Sequence, residues 1–365
     1  MRLGVRASLV NDAWVAGDVE VRDGRVEAVG CSPPRGKAVA VPGFVDCQVN
    51  GFAGVDLRHA DQAGYEKVAG AIARTGVTTF LPTYFSSTPE TYRLALSTLA
   101  QVQSTPPAGA RIGGAHLEGP FLSPLWAGAH DRRHLTEPDL EIARVLLDSG
   151  PVALMTVAPE LAGADQLIRL LRDRRIVVSI GHTDATAEEV HHAIDGGVST
   201  ITHCFNAHRR FSSRDPGPAA VALTRSEVTV GLIADGHHVA PDAIRLCFAA
   251  APGRVALVTD SVAPAGTDEE RWEVDATVVT IDHGRATLAD GTLAGAVVPM
   301  DACVRHVIEL GVDPAAAVLA ASTTPGRIAG LTATLIPGAV ADIAVLDDGW
   351  RVERTLVAGA DVALS

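Results

Sequence analysis

From Val41 to about residue 330, short runs of β-branched and apolar residues alternate with amphipathic stretches of helical period. Such alternation is typical of βα units, whose strands pair in parallel. Eight strands are predicted, near residues 44–50, 78–83, 112–118, 152–159, 176–182, 199–205, 228–235 and 255–261. Helical segments fill most of the gaps, among them 60–75, 137–148 and 187–195. Because right-handed crossovers place such helices on the outside, the pattern predicts an α/β fold, a closed (β/α)8 TIM barrel.

The two chain ends have a different texture from this central region. Both carry short strand-like runs separated by turns, such as the hairpin signal at Asp23-Gly24. We therefore expect residues 1–41 and 332–365 to form one small β-sandwich domain, and residues 42–331 to form the barrel. Within the barrel, residues 270–293 interrupt the rhythm and are predicted to be a β insertion.

Charge and cysteine usage exclude several classes of protein. The 365 residues include 30 Lys and Arg against 43 Asp and Glu, for a formal net charge of −13, which argues against a partner that is a nucleic acid or an anionic membrane. We find neither a secretory signal nor a run of about 20 apolar residues, so we expect a cytoplasmic protein. The five scattered cysteines, without a Cys-x-x-Cys pair, indicate neither a disulfide framework nor a zinc ribbon.

Polar residues at the predicted strand ends point to a metal site, because active sites of such barrels lie at the carboxyl ends of the strands. Glu118, His182 and His203 end the third, fifth and sixth strands. One carboxylate and two imidazoles leave a fourth coordination position for water, which suits catalytic zinc. Each histidine alone could equally satisfy a loop hydrogen bond, but three such residues on one rim favour the metal. Asp260, at the end of the eighth strand, is then the expected general base rather than a helix cap.

Several motifs follow one another in order from about residue 40 to residue 330. They include Pro42-Gly-Phe-Val-Asp-Cys-Gln-Val-Asn-Gly, His116-Leu-Glu-Gly-Pro-Phe, Thr202-His-Cys-Phe-Asn-Ala, Asp235-Gly-His-His-Val and Val258-Thr-Asp-Ser-Val-Ala-Pro-Ala-Gly. Together they resemble the N-acetylglucosamine-6-phosphate deacetylases of the amidohydrolase superfamily, which also have a small β-domain built from the chain ends. The resemblance implies hydrolysis of N-acetyl-D-glucosamine 6-phosphate to D-glucosamine 6-phosphate and acetate, in amino-sugar catabolism.

The resemblance also implies roles for individual residues. Glu118, His182 and His203 would bind the metal, Asp260 would be the acid/base residue, and His130 would contact the acetyl carbonyl. Substrate contacts are implied at Ala129, His130, Asn206, Ala207, Arg214, His238 and Leu293. In this family the arginine at the position of Arg214 often reaches the neighbouring subunit's site, so a homodimer or higher homo-oligomer is expected.

The number of metal ions is predicted from the first strand. Gln48-Val-Asn50 stands where the wider superfamily has His-x-His, so a second ion would lack its two imidazoles. The two lysines, Lys37 and Lys67, lie far from the end of the fourth strand, which excludes a carbamylated lysine bridging two metals. We expect one divalent cation and no other cofactor. Zn²⁺ is favoured, and Fe²⁺, Co²⁺ and Mn²⁺ remain alternatives because the same ligands accept them.

Three other functions remain as alternatives. The substrate could be the galacto epimer, because the orientation of one hydroxyl group cannot be read from a sequence. A cyclic-amide hydrolase or a catalytically inactive structural protein on the same barrel is also possible, although the intact site argues against the latter. Arg214 and the basic run His208-Arg209-Arg210 favour a phosphorylated substrate, since guanidinium groups bind phosphate well. The run itself is either a solvated loop or a supplement to the phosphate site.

Overall fold

Eight parallel strands form the barrel, and their spatial order follows the chain. The computed structural model describes residues 1–34, 36–274 and 277–362. The barrel strands are Phe44–Val49, Val77–Phe85, Ala115–Glu118, Val152–Val157, Val177–Ile180, Thr200–Ile201, Thr229–Ile233 and Val255–Val258. Val49 forms a parallel bridge with Ser261, just after the eighth strand, and this contact joins the last strand to the first. The predicted (β/α)8 barrel is confirmed.

Ten α-helices accompany the strands in the described part of the chain, and five of them begin at a side-chain cap. Thr186 and Glu189 form a reciprocal capping box at the start of one helix, and Thr88 caps another that has proline in its first turn. The helices bury apolar residues at helical spacing against the strands. They are Gln62–Ala73, Pro89–Ser104, Leu140–Asp148, Ala164–Asp173, Ala187–Asp195, Gly217–Thr224, Pro241–Ala250, Met300–Glu309, Pro314–Ala321 and Thr323–Ile328.

Three barrel strands end two to four residues earlier than predicted. Their predicted ends are residues 182, 205 and 261, whereas the strands end at Ile180, Ile201 and Val258. The second residue after each observed end is His182, His203 or Asp260. These residues have φ values of +48°, +29° and +53°, which lie in the left-handed region rather than in extended backbone. The predicted ends were wrong because the left-handed backbone at these three residues turns the chain out of the sheet.

Both chain ends contribute to a second, six-stranded sheet. Its order is Ala13–Ala16, Ala7–Val10, Val39–Pro42, Ile343–Leu346, Val352–Val357 and Ala360–Val362. A hairpin of Asp18–Arg22 and Arg25–Cys31 accompanies it, and Val5, Val19, Ile343 and Leu356 belong to their shared buried core. The prediction that the two ends form one β-domain is confirmed, while its boundaries at residues 41 and 332 stay predictions.

The predicted β insertion is a four-stranded antiparallel sheet. Its strands are Arg271–Val274, Thr277–Asp282, Arg285–Thr287 and Leu293–Ala296, so the sheet continues three residues beyond the predicted end at residue 293. The backbone N–H of Ala296 donates to the carbonyl of Asp260 over 2.9 Å. The insertion therefore joins the carboxyl end of the eighth barrel strand, at the mouth of the barrel. In the part of the chain that the structure describes, no helix is long and apolar enough to cross a membrane.

Candidate active site

A cavity of about 590 Å³ opens at the carboxyl ends of the barrel strands. Its wall includes all but one of the predicted site residues: Glu118, Ala129, His130, His182, His203, Asn206, Ala207, His238, Asp260 and Leu293. Arg214 is exposed and does not line this cavity. The structure therefore brings together the predicted metal, acid/base and most substrate residues, and it leaves Arg214 outside its own chain's cavity.

Three side chains at the base of the cavity are arranged as ligands of one cation. Oε1 of Glu118 lies 3.2 Å from Nε2 of His182 and 2.9 Å from Nε2 of His203. The two imidazole nitrogens are 3.2 Å apart. Ligand atoms of a tetrahedral zinc ion lie about 3.3 Å from one another. Three buried ligand atoms at nearly this spacing, one carboxylate oxygen and two imidazole nitrogens, fit a divalent metal.

Hydrogen bonds to the outer ring nitrogen support His182 as a ligand. Nδ1 of His182 donates to the carbonyl of Trp126 over 2.8 Å, which leaves the lone pair on Nε2, the atom that faces Glu118. A metal-binding histidine usually has its second nitrogen fixed in this way. Nδ1 of His203 is buried without a hydrogen-bond partner among the described residues.

His130 has the opposite tautomer. Its Nδ1 accepts the backbone N–H of Ser86 over 3.2 Å and lies 2.9 Å from the Ser86 hydroxyl. A neutral imidazole that accepts at Nδ1 carries its proton on Nε2. Although ligand atoms of Glu118, His130 and His182 all lie within 4.8 Å of one another, the Nε2–H of His130 is a donor. This chemistry suits stabilisation of an oxyanion better than coordination.

The protonation states are consistent with these roles. Burial by itself would raise the pKa of Glu118, but its contacts with the imidazoles of His130, His182 and His203 outweigh burial and hold that pKa well below the usual range. Burial, reinforced by the nearby imidazole of His182, lowers the pKa of His130 to about 4. Glu118 is therefore an anion and His130 a neutral donor at pH 7.

Asp260 lies on the rim in a form suited to proton transfer. It is half-buried, and its Oδ1 accepts a hydrogen bond from the side-chain amide of Asn50 over 2.7 Å. Burial and the charge of Glu118 raise the pKa of Asp260 to about 6. A carboxyl group with a pKa near the working pH can both accept and return a proton.

The first strand supplies amides where a second metal would need ligands. Nε2 of Gln48 donates to Oε1 of Glu118 over 3.1 Å, just as Asn50 donates to Asp260. An amide NH2 group has no lone pair to offer a cation, so these contacts hold the two carboxylates in place without building a second site. The arrangement supports the prediction of a single metal ion.

His238 is fixed by a buried carboxylate. Its Nδ1 donates to Oδ2 of Asp235 over 2.7 Å, while Oδ1 of Asp235 accepts the backbone N–H groups of His237 and His238. Burial alone would raise the pKa of Asp235, but the hydrogen bonds from His238 and the two backbone N–H groups lower it to about 2. The ring of His238 is thus held at the cavity wall with Nε2 left for another partner.

Comparison with known proteins places this geometry in a family. The profile of the amidohydrolase family matches residues 39–362. The chain belongs to the amidohydrolase family. It is similar to the human N-acetylglucosamine-6-phosphate deacetylase, with 38% identity over 89% of this chain and 83% of the relative. It is also similar to the N-acetylgalactosamine-6-phosphate deacetylase of Escherichia coli, with 34% identity over 98% of both chains.

A solved structure extends the likeness to three dimensions. A mutant of the N-acetyl-D-glucosamine-6-phosphate deacetylase of Mycobacterium smegmatis, in complex with N-acetyl-D-glucosamine-6-phosphate, has a TM-score of 0.93 to this amidohydrolase. The two chains are 34% identical, and the match covers 100% of this chain and 99% of the other. The whole of this amidohydrolase, including the β-domain and the insertion, thus shares that architecture.

The basic run of this amidohydrolase is neither simply solvated nor directed at the cavity. His208 is buried and donates from Nε2 to the carbonyl of Thr202 over 2.9 Å. Arg209 forms ion pairs with Asp184 and Asp215, whereas Arg210 is exposed. Since His208 and Arg209 are engaged with this chain's own groups, the interpretation of the run as a solvated loop fits only its last residue.

Two contacts of this site were missed from the sequence. The backbone N–H of Ser86 sets the tautomer of His130, and the carbonyl of Trp126 accepts a hydrogen bond from Nδ1 of His182. Ser86 directly follows the second strand, which runs to Phe85 rather than to the predicted residue 83. A correct end for that strand would have drawn attention to Ser86. A backbone carbonyl such as that of Trp126 leaves no mark on the residue type.

Proposed function

We propose that this amidohydrolase is a metal-dependent deacetylase that hydrolyses N-acetyl-D-glucosamine 6-phosphate to D-glucosamine 6-phosphate and acetate, in amino-sugar catabolism. The observation that carries the proposal is the convergence of Glu118, His182 and His203 on one point, with Asp260 and His130 beside it. The relatives named above support the choice of substrate. The decisive assay incubates the purified, metal-loaded protein with N-acetyl-D-glucosamine 6-phosphate and measures the acetate and the free amine that form.

The proposed resident cofactor is one divalent cation held by Glu118, His182 and His203, with Zn²⁺ favoured over Fe²⁺, Co²⁺ and Mn²⁺. When bound, such a cation supplies Lewis acidity that polarises the acetamide carbonyl and lowers the pKa of the attacking water. Loading the metal-free protein with each cation in turn, and comparing activity at equal occupancy, identifies the native metal. Loss of activity on chelation and its return with the cation test the requirement itself.

The protein's own groups account for the proton transfers and for charge stabilisation. Asp260 takes the proton of the attacking water while the water oxygen bonds to the acetyl carbon. Nε2–H of His130 donates to the oxygen that becomes negative, and such a donor is typically worth about 3 to 4 kcal/mol. Asp260 then gives its proton to the amine nitrogen as the C–N bond breaks, releasing acetate. Asn50 holds Oδ1 of Asp260, so Oδ2 is the oxygen that carries the proton.

The remaining cavity residues would hold the sugar phosphate. Asn206 and Ala207 are proposed on the phosphate side, His238 near the sugar ring, and Ala129 and Leu293 along the wall, all of which line the cavity. The position of Arg214 outside its own cavity supports a contact with phosphate in a neighbouring copy, and hence a homodimer or higher homo-oligomer. Sedimentation of the purified protein tests the assembly.

A second candidate substrate is N-acetyl-D-galactosamine 6-phosphate. It is favoured by the similarity to the Escherichia coli enzyme of that name, which covers nearly all of both chains. Acetate release from the gluco and galacto epimers, each with and without the 6-phosphate, separates the two candidates. A cyclic amide serves as the control for a different amidohydrolase reaction. N-acetyl-D-glucosamine 6-phosphate should have the highest kcat/KM. A higher kcat/KM for another compound would make that compound the preferred substrate.

A further inference from the structure

We propose that Arg209 is a positioning residue for phosphate recognition, because it fixes the loop of residues 210–216 that carries Arg214. Arg209 would act through Arg214 rather than on the substrate. The inference rests on the proposed function, since the phosphate contact of Arg214 is part of that function. It assigns a role to the basic residue whose purpose the sequence left open.

The guanidinium of Arg209 bonds to two parts of the chain at once. Its Nε donates to Oδ2 of Asp215 over 2.7 Å. Its Nη1 donates to the carbonyl and to Oδ2 of Asp184, over 3.1 and 3.2 Å. Asp215 directly follows Arg214, while Asp184 follows the proposed metal ligand His182 by two residues. Arg209 therefore ties the loop that bears Arg214 to the segment that bears a metal ligand.

The anchor at Asp184 is itself held by two further groups. Its Oδ1 accepts the indole N–H of Trp126 over 2.8 Å, and its backbone N–H donates to Glu160 over 2.6 Å. Trp126 is also the residue whose carbonyl accepts from His182. These hydrogen bonds hold Asp184 in place, and Asp184 in turn holds the guanidinium of Arg209.

The loop between Arg209 and helix Gly217–Thr224 is short, and hydrogen bonds within it close a tight turn. Ser212 and Asp215 exchange backbone and hydroxyl hydrogen bonds across a turn that contains Arg214. At the loop's return, a Cβ at Gly217 would lie 2.8 Å from the carbonyl oxygen of Arg209, at a φ of +62° that favours glycine. Fixing Asp215 therefore fixes the turn and the start of the Arg214 side chain.

Direct phosphate binding by Arg209 is the competing explanation. Arg209 does not line the cavity, and its guanidinium already contacts two carboxylates. To reach a phosphate it would have to leave both partners. The two explanations predict different effects of removing the charge of Asp215. If Arg209 positions the loop, the loss of this charge weakens the contact and raises KM. If Arg209 binds phosphate itself, the loss of this charge frees its guanidinium and leaves KM unchanged or lower.

The test compares Arg209→Ala, Arg209→Lys and Asp215→Asn with Arg210→Ala, a control that removes the same charge from an exposed neighbour. With N-acetyl-D-glucosamine 6-phosphate, Arg209→Ala and Asp215→Asn should both raise KM, on the order of 10-fold, with little change in kcat. Arg209→Lys should fall between, and Arg210→Ala should match the wild type. Adding Arg209→Ala to Arg214→Ala should cause no further loss, because both act on one contact. An unchanged or lower KM for Asp215→Asn, or additive losses in the double variant, would overturn the proposal.

Amide hydrogen exchange of the holoenzyme supplies a readout that needs no substrate. Arg209→Ala should speed exchange across residues 210–216 relative to both wild type and Arg210→Ala. Unchanged exchange in that segment rejects the positioning contact, whatever the substrate proves to be. Faster exchange with an unchanged KM rejects the link to phosphate. If wild-type protein released no acetate from any sugar phosphate, the proposed function would fail and the link to phosphate with it, while exchange would still show whether Arg209 holds the loop.

Discussion

Asn50 donates a hydrogen bond from its side-chain amide to Oδ1 of Asp260 over 2.7 Å, and so joins the end of the first barrel strand to the end of the eighth, its neighbour in the closed barrel. Gln48, two residues earlier and on the same face of the strand, makes the equivalent bond to Glu118. The two amides orient Asp260, the proposed acid/base residue, and Glu118, a proposed metal ligand. They also stand at the two positions where we expect a second cation to need imidazole ligands.

This arrangement leads us to expect one tightly bound metal ion per chain. Elemental analysis of fully active protein after gel filtration should give about one equivalent. Gln48→His together with Asn50→His supplies the missing imidazoles and should raise the stoichiometry toward two. Two ions in the wild type, both required for activity, would contradict the prediction.

Asp260→Asn should abolish proton transfer while preserving the fold and the metal. The amide keeps the shape of the carboxyl group but cannot take a proton from water, so kcat should fall about 10²- to 10⁴-fold. Metal content and circular dichroism should match the wild type. A variant with near-normal kcat at full metal occupancy would remove Asp260 from the mechanism.

The variant His130→Ala tests whether His130 is a hydrogen-bond donor to the substrate or a ligand of the metal. Because the backbone N–H of Ser86 holds the proton of His130 on Nε2, the variant should lose about 10²- to 10³-fold in kcat and retain its affinity for the metal. His182→Ala is the matched control, and its metal affinity should fall sharply. The measurement is chelator competition on both variants. Equal losses of metal affinity would make His130 a ligand.

Arg214→Ala should weaken use of the phosphorylated substrate. A charge-assisted hydrogen bond is worth about 1.5 to 3 kcal/mol, so kcat/KM for the 6-phosphate should fall on the order of 10- to 150-fold. The loss with the unphosphorylated sugar should be much smaller. If Arg214 acts in the neighbouring copy, mixed oligomers of Arg214→Ala and Asp260→Asn should regain activity. Equal losses on both sugars would assign Arg214 to the fold or the subunit contact.

Asp46 predicts a pH dependence of stability. Burial raises its pKa to about 7 against hydrogen bonds from Thr259 and Gln48 that lower it. The folded protein therefore keeps a proton that the unfolded chain loses above about pH 4, so the free energy of unfolding falls as pH rises toward 7. Asp46→Asn should flatten this fall in urea titrations at fixed metal concentration, whereas Asp12→Asn, at an exposed site, should not. If the free energy of unfolding of Asp46→Asn fell with pH as steeply as that of the wild type, the prediction would be wrong.

The sequence predicts the barrel well because period and strand order are properties of neighbouring residues. Alternating apolar runs and helical stretches locate all eight strands, and polar residues after them locate Glu118, His182 and His203. The left-handed backbone at His182 and His203 could not be predicted, since few residues other than glycine adopt it and histidine, although enriched among those that do, occurs far more often in helical or extended backbone.

Contacts between segments that are distant in the chain were harder to predict from the sequence. Nothing local to Arg209 indicates that its partners are Asp184 and Asp215, because an arginine next to a phosphate and one in an ion pair look alike in a sequence. Ser86 was missed because the second strand continues two residues past its predicted end. Tautomers in particular depend on the direction in which a backbone N–H or carbonyl points.

The left-handed backbone at His182, His203 and Asp260 bears on how this protein can be engineered. Such a conformation costs about 1 to 3 kcal/mol at a residue with a side chain, and the barrel core has to offset it at three places. Directed evolution for heat resistance should therefore find its gains outside these strand ends. A background stabilised elsewhere should in turn tolerate a wider range of substitutions in the cavity wall, and so be the better parent for new substrate specificities.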